Sequence, residues 1–563
     1  MKKNLKKLLS WILALAMLLS MAACSSQSGA EQNATEPGDS VQAKPNREKC
    51  TDLGTPLADL RVRQALLAAI DIQTIVDALF HGNAQKAASF GLPGAEEDLP
   101  DYDPERAKEL LAEAGWPSDY VLDVVYYYDD QLTVDVLNVI ADYWEAVGIR
   151  SSIRKIEGDI AQQLWTPPEN PEEDDSAVEW DLAYGAVAAL TESEFYTRFA
   201  SDASNNSHTP PQENLDSWIA EGDYDRVREL LAQQVLVLPL YHQNCFFYTS
   251  DHLDTAGAAA GNDQFSYEKN ILNWVTDRED LTVYTDGGPV EFFSDPLVNP
   301  GQYLYQELVF ERLLNADEQL NPAEGLLAES YNLSADGLTL EFTLREDLFW
   351  QDGEPLTVED VKFTFELYLR SLGASSVLTD VLDALEGAEE FKNGKAAECT
   401  GIRVEENSIT FVFSEKAKDA LTVFSQWPVL PKHCLEDADP EKLQQHKYWK
   451  EPIGSGPYRV AETVPGEYCV LERWEEYRLT GGGNIQKIYM AASAETDGDL
   501  VLRAGLDLLD YAWGKSPDDA ASVKQLEHMT VTPVTIPYLR CFYINQFPHD
   551  SYNQPEEIPE PTE

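Results

Sequence analysis

Seven cysteines, eight histidines and a scatter of serines are the residues of this 563-residue chain that could serve as nucleophiles, bases or metal ligands. Their spacing supports none of those chemistries. Cys50, Cys245, Cys399, Cys434, Cys469 and Cys541 contain no C-x-x-C and have no His at metal-ligand spacing. Buried thiols are expected, since a core this large needs no disulfide; Cys245 in "NCFFY" and Cys541 in "RCFYI", both in aromatic, strand-like runs, are the first pair to check. There is no H-E-x-x-H and no G-x-S-x-G. Gly454-Ser455-Gly456 reads as a turn, and Gly481-Gly482-Gly483 lacks the context of a phosphate loop. The expectation is a protein without catalysis, cofactor or metal. Binding chemistry remains, and 26 Tyr, 12 Trp and 20 Phe supply it with aromatic faces.

The seventh cysteine, Cys24, belongs to a different signal. "MKKNLKK" is a positive leader, and the 16-residue run "LLSWILALAMLLSMAA" is short for a membrane span. It ends Met21-Ala22-Ala23-Cys24, which resembles the lipobox of bacterial lipoproteins, where the Cys becomes the lipidated first residue. Residues 1–23 are then a signal peptide and 24–50 a polar, lipid-anchored flexible stalk. The expected location is extracytoplasmic, tethered to the outer face of the bacterial cell membrane. A net charge of −58 excludes nucleic acid as a partner and charge-driven docking on anionic lipid, leaving the lipid anchor as the membrane contact.

Downstream, strands alternate with helices, which implies an α/β layer architecture. Val62, Ala65, Leu66, Ala69 and Ile70 form one helical face, and Asp71 caps a second helix facing inward through Ile72, Ile75, Val76, Leu79 and Phe80. "DPERAKELLAEAGWP" has its cap at Asp103, Pro104 at the first helical position and Gly115 as its stop. "VLVLPLYHQNCFFY" has buried strand character, and "TPPENPEEDDSAVEW" is an acidic surface loop. Further on, "LTLEFTLRE" alternates Leu338, Leu340, Phe342 and Leu344, and Thr357-x-x-Asp360 opens a helix with a capping box.

These blocks are similar to family 5 extracellular solute-binding proteins, the dipeptide/oligopeptide-binding lipoproteins of ABC importers, with the halves in swapped order. "LTVYTDGGPVEFFSDP", "LLAESYNLSADGLTLEFTLREDLFWQDGEPLTVEDVKFTFE", "WPVLPKHCLE", "PIGSGPYRV", "GEYCVLERWEEY", "LRAGLDLLDY" and "YLRCFYINQF" resemble the family's N-terminal half. The segment that would follow, "PLADLRVRQALLAAIDIQTIVDALFHG", stands instead at 56–82, followed by "YDPERAKELLAEAGWP", "VGIRSSIRKI", "WDLAYGAV" and "VLVLPLYHQNCFFY". The resemblance implies a circularly permuted, two-lobed, periplasmic-binding-protein-like type II fold with an extra subdomain. Its second lobe would span 51–235 and its first 236–547, before a disordered acidic tail at 548–563. Remnants of two tandem genes, or a disrupted gene, are the rival readings. If the break lies at an interlobe connection, only the crossing near 235–240 stays covalent, and Asn545 and Pro56 should lie close together.

The resemblance implies hinge closure on a peptide or related small solute, delivery to an ABC permease, and action as a monomer. Peptide binders of the family use a Trp, and an Asp three residues later that pairs with the ligand's ammonium. Those positions fall on Ala186 and Ala189 here, with Glu192 or Glu194 as replacements if the loop shifts. Tyr184, Tyr303, Tyr305, Trp427 and Tyr538 are the aromatic candidates, and Asn545 joins them at the hinge strand's end. A sensory or interaction lipoprotein without transport, and a binder of sugars or other non-peptide solutes, stay open as alternatives.

Overall fold

Two unusually long strands organise the molecule. In the computed structural model, which describes residues 49–93, 101–189, 191–257, 270–288, 293, 295–296, 304–316, 322–371, 376–417, 419–492 and 499–549, an eleven-stranded mixed sheet runs through the whole described body. Its strands are β1 (Ala84–Lys86), β2 (Val121–Tyr126), β3 (Arg150–Lys155), β4 (Leu182–Ala188), β5 (Val237–Ser250), β6 (Thr282–Gly288), β7 (Tyr458–Val464), β8 (Tyr468–Arg473), β9 (Lys487–Ala492), β10 (Tyr511–Gly514) and β11 (Met529–Ile544). The order is β7-β8-β9-β6-β10-β5-β11-β4-β2-β3, with β1 paired to β5. The antiparallel pair β5 and β11, of 14 and 16 residues, lies at the centre.

That pair runs through the apolar clusters of both lobes. Cys245 and Phe247 of β5, with Val534 and Ile536 of β11, lie in one large apolar cluster. Leu238, Leu240 and Tyr241, with Phe542 and Ile544, lie in a second, and Leu539, Cys541 and Tyr543 in a third on the opposite face of the sheet. The chain therefore crosses between lobes twice, once along each strand. This corrects the expectation that only the crossing near 235–240 stays covalent, because β11 carries the chain into the second lobe before it ends. The lobe boundaries run through the middle of β5 and β11 rather than at 235 and 547, since a strand long enough to span both cores belongs to neither.

Local chemistry explains the helices of the second lobe. α1 (Leu60–Ala68) starts where the Asp59 carboxylate accepts from the Arg61 N–H, and it buries Val62, Ala65 and Leu66. α2 (Ile72–Leu79) is capped by Asp71, α3 (Pro104–Ala114) by Asp103 with Gly115 closing it at φ 73°, and α4 (Gln131–Ala146) by Asp130. Each acid satisfies an N–H that the first helical turn leaves open. The first lobe adds a four-stranded antiparallel sheet, Ala328–Leu333, Thr339–Leu344, Ser408–Val412 and Ile402–Glu405. Leu340, Phe342 and Leu344 point inward as their alternation requires. Against it packs α5 (Val358–Arg370), which opens with the expected Thr357/Asp360 capping box.

The segments before α1 and after β11 touch. A Cβ on Gly54, whose φ is +81°, would come within 2.8 Å of the Pro548 Cβ. Pro548 O accepts from the Ser176 N–H at 2.7 Å, and Asn545 is buried with its Nδ2 donating to Ser176 Oγ and Trp180 O, both at 2.9 Å. Cys50 is fully buried in the second-lobe cluster, so packed structure reaches into the expected stalk, and the described residues extend two positions into the expected tail. Apolar burial and these backbone bonds fix both ends. The rest of the stalk and tail, with Cys24, lies outside the described residues. No helix among the described residues is long and apolar enough to cross a membrane.

All six downstream cysteines are free thiols. Cys245 faces Val534, whereas Cys541 faces Pro239, six residues along β5 from Cys245. At about 3.3 Å per residue they are roughly 20 Å apart, so this pair cannot bridge, in keeping with the expected buried thiols.

Candidate functional site

The ladder between β5 and β11 is interrupted where the lobes meet. Thr535 pairs with Asn244 and the next partner pair is Leu539 with His242, so residues 536–538 bulge out of register. Pro537 has no N–H to offer the ladder, and an adjacent break is its natural consequence. The bulge breaks the pairing of Tyr538 with β5 while it stays in register with Ala188 of β4, and two cations lie against its ring. Lys515 Nζ lies 3.7 Å from its ring centroid and the Arg540 guanidinium carbon 5.1 Å.

Around Arg540 stands a wall of tyrosines. Its guanidinium carbon is 3.9 Å from the Tyr128 centroid and 5.5 Å from that of Tyr184. Tyr184 Oη and Tyr241 Oη share a hydrogen bond of 2.7 Å, and Tyr127 and Tyr128 stack at 4.3 Å with their hydroxyls 3.0 Å apart. Tyr184 and Tyr241 are buried, and burial pushes the Tyr184 hydroxyl up to about 12. Tyr127, Tyr128, Trp513 and Tyr538 are only half-buried, so this wall is open to solvent. β4 supplies Tyr184, and its Ala186 stands directly opposite Arg540 in register. The Ala189 side chain is buried. On the neighbouring strand His242 is buried with Nδ1 unpaired, and burial pushes it down to about 4.

The aromatic wall thus stands across an interlobe crossing, half-open to solvent. The family described as bacterial extracellular solute-binding proteins, family 5 Middle, matches residues 22–206 and 323–551. The chain belongs to that family. This solute-binding protein is 31% identical over 204 residues to a Brucella ovis protein named for ABC-transporter peptide binding, covering 36% of this chain and 35% of that one. It is 32% identical over 179 residues to the peptidoglycan-binding protein YepA of Agrobacterium fabrum, covering 31% and 25%. The chain thus spans about a third or less of the length of these relatives. Among solved structures, the mannohexaose-bound oligopeptide-binding protein of Thermotoga maritima is 27% identical with a TM-score of 0.33, covering 42% and 41%. AppA of Bacillus subtilis, in complex with a nonapeptide, is 21% identical with a TM-score of 0.31, covering 40% and 42%. The family is one of solute binders, not enzymes, and its members are extracellular or periplasmic.

The lobes of this solute-binding protein also meet at a rim. Ser193 Oγ of the second lobe donates to Asp419 Oδ2 of the first at 2.7 Å, beside a Thr191 Oγ1–Ser193 Oγ contact of 2.7 Å. Ser193 opens the short helix Ser193–Tyr196, whose Phe195 and Tyr196 belong to a second-lobe core. Asp419 precedes α6 (Ala420–Gln426), whose Ala420 and Val423 belong to the first-lobe core.

Of the residues singled out from the sequence, Tyr184 and Tyr538 come together around Arg540. Glu192 pairs with Arg228 at 3.0 Å, and Glu194 accepts from the Thr191 N–H at 3.0 Å, so both shape the rim loop. Trp427 is fully buried in the first-lobe core, and Asn545 ties the end of β11 to the second lobe. Tyr303 lies outside the described residues, as does the side chain of Tyr305 on the helix Leu304–Val309. Gly454 and Gly456 pass so close to Val309 that a Cβ on Gly454 would sit 1.8 Å from its carbonyl oxygen, which makes that turn structural. Asp352, His433 and Cys434 form the metal-capable group among the described residues, with His433 Nε2 2.8 Å from Asp352 Oδ2.

Arg540, Lys515, Tyr127, Tyr128 and Tyr241 were missed in the sequence. The available signal was a single cation inside an otherwise apolar strand, "YLRCFYI", where an unpaired charge is costly enough to need a reason.

Proposed function

We propose that this chain is the substrate-capturing component of an ABC importer, closing its two lobes on a peptide or related small solute and handing it to a membrane permease. The observation that carries this reading is the half-open tyrosine wall at the point where two hinge strands join the lobes of a family 5 chain. Tyr184 and Tyr538 line the ligand site; Glu192 and Glu194 shape its rim. The protein acts as a monomer without catalysis, held outside the cytoplasm by lipid at Cys24 after removal of residues 1–23. The naming of relatives for peptide and peptidoglycan binding supports peptides as the first ligands to try.

The halves stand in circularly permuted order. Supporting this, the two ends of the described fold touch at Gly54 and Pro548, and exposed, adjacent termini are what relocation of chain ends requires. Re-ordering the gene, with residues 280–548 placed before 54–276, should yield a folded protein with an unchanged ligand response; an insoluble product would count against permutation.

The functional test is mass spectrometry of ligand released from purified protein, with thermal-shift screening of peptide and sugar libraries. A ligand at 100 times its Kd stabilises by about 2.7 kcal/mol, a visible shift. Peptides of every length leaving the melting temperature unchanged would overturn the peptide reading.

A further inference from the structure

We propose that Arg540 and Lys515 form an anion subsite at the hinge, where a carboxylate of the captured solute is held against the tyrosine wall. The inference deepens the solute-binding reading and rests on it.

Arg540 is only 7% exposed, and its Nε and Nη1 have no hydrogen-bond partner. The rings of Tyr128, Tyr184 and Tyr538 engage the face of the guanidinium, yet its donors project from the edge, where no ring can satisfy them. Lys515 shares the Tyr538 ring, its Nζ 3.7 Å from the centroid. Among the described residues neither cation is in an ion pair, although the chain carries 99 acidic residues. Asp130 is a carboxylate whose charge acts on Tyr184 and Tyr538, and both its oxygens accept from Thr133, at 2.8 and 2.9 Å. Two like charges side by side in a largely buried place, with donors left open, are strongly unfavourable unless an anion completes them.

The room and chemistry suit a carboxylate. Ala186, opposite Arg540, is small, and the paired hydroxyls of Tyr127 with Tyr128 and Tyr184 with Tyr241 offer further polar edges. Burial, with Arg540 adding to it, pushes the Lys515 ammonium down to about 8. One permanent cation beside one that is readily neutralised balances a monoanion better than a phosphate dianion.

The test uses the full chain in thermal-shift titrations at pH 7. The probes are a random tripeptide library with free C-terminal carboxylates, the same library C-terminally amidated, sodium propionate and sodium phosphate, with sodium chloride at matched ionic strength as control. The free-acid library should raise the melting temperature at concentrations at least tenfold below the amidated one. Propionate should raise it by several degrees in the wild type and leave an Arg540→Gln, Lys515→Gln double variant unmoved. Without added anion the double variant should melt at or above the wild type, because unpaired buried charge has gone. If acids and amides act alike and propionate matches chloride, the subsite is overturned while peptide capture stands. If no peptide acts but propionate separates wild type from variant, the subsite stands and the peptide reading fails. Stronger protection by phosphate than by propionate overturns the carboxylate assignment. A ligand-free double variant melting several degrees below wild type shows the cations to be structural and overturns the proposal.

Discussion

Replacing Ser193 with Ala should loosen the closed form of this protein without weakening either lobe. The Ser193 Oγ–Asp419 Oδ2 bond of 2.7 Å is a charge-assisted contact between lobes, with Ser193 only 6% exposed and Asp419 partly so. Hydrogen bonds to charged groups contribute about 1.5–3 kcal/mol net, and the partly solvated carboxylate puts this one near the lower end. On opening, water satisfies Asp419, so the whole difference falls on the closed state. A loss of about 1.5 kcal/mol is roughly a tenfold shift of the opening equilibrium, and apparent affinity falls by up to the same factor. Fluorescence energy transfer between labels on exposed Glu109 and Glu354 would read the lobe distribution directly, with and without ligand. The melting temperature should move by no more than about a degree, because no core is touched. A double-mutant cycle with Asp419→Asn isolates the pair, and a coupling energy below about 0.3 kcal/mol would refute the reasoning.

Four further outcomes are expected. His242→Leu should flatten the acid limb of stability: His242 is held neutral down to about 4, so the wild type loses up to about 3 kcal/mol as pH falls from 6.5 towards 4, and urea unfolding at pH 7 and 4.5 should show the variant spared that loss. Thiol titration of the folded chain should find Cys434 alone accessible and slow, its thiol raised by burial to about 11, with the buried thiols reacting only after denaturation. Gly54→Ala should cost about 1–2 kcal/mol, seen as a lowered melting temperature, because φ is +81° and the new methyl meets Pro548. Pro537→Ala should leave the fold intact yet slow amide exchange around the bulge if the missing N–H keeps the ladder open; unchanged exchange would assign the bulge to packing.

Much of this fold was legible because its signals are local. Asp71, Asp103 and the Thr357/Asp360 box each mark a helix start by side-chain geometry that the sequence carries whole. The alternation from Leu338 to Leu344 predicts an inward face for the same reason. The sequence showed only the end of β11, "LRCFYINQF"; its reach back to Met529 depends on pairing with β5, a distant segment. The six thiols are free and five are buried, as a core this large allows, and the register that separates Cys245 from Cys541 is something no single segment encodes. Tyr184 and Tyr538, singled out as aromatic candidates, come to stand around Arg540. Lys515 lies in a loop and reaches Tyr538 only through the sheet order β10-β5-β11, a relation between distant segments.

The gap in the β5–β11 ladder has a mechanical consequence. A continuous antiparallel ribbon through both lobes would behave as a stiff plate, and swinging one lobe would strain every bond along it. Here the register break against β5 between Thr535 and Leu539 acts as a bearing: the β5–β11 pairs on either side turn as rigid bodies and the dihedral change is absorbed between them, while Tyr538 stays paired with Ala188 of β4. Ligand binding energy is then spent on holding the solute rather than on bending the sheet, and the tyrosine wall, built on that bearing, turns with it.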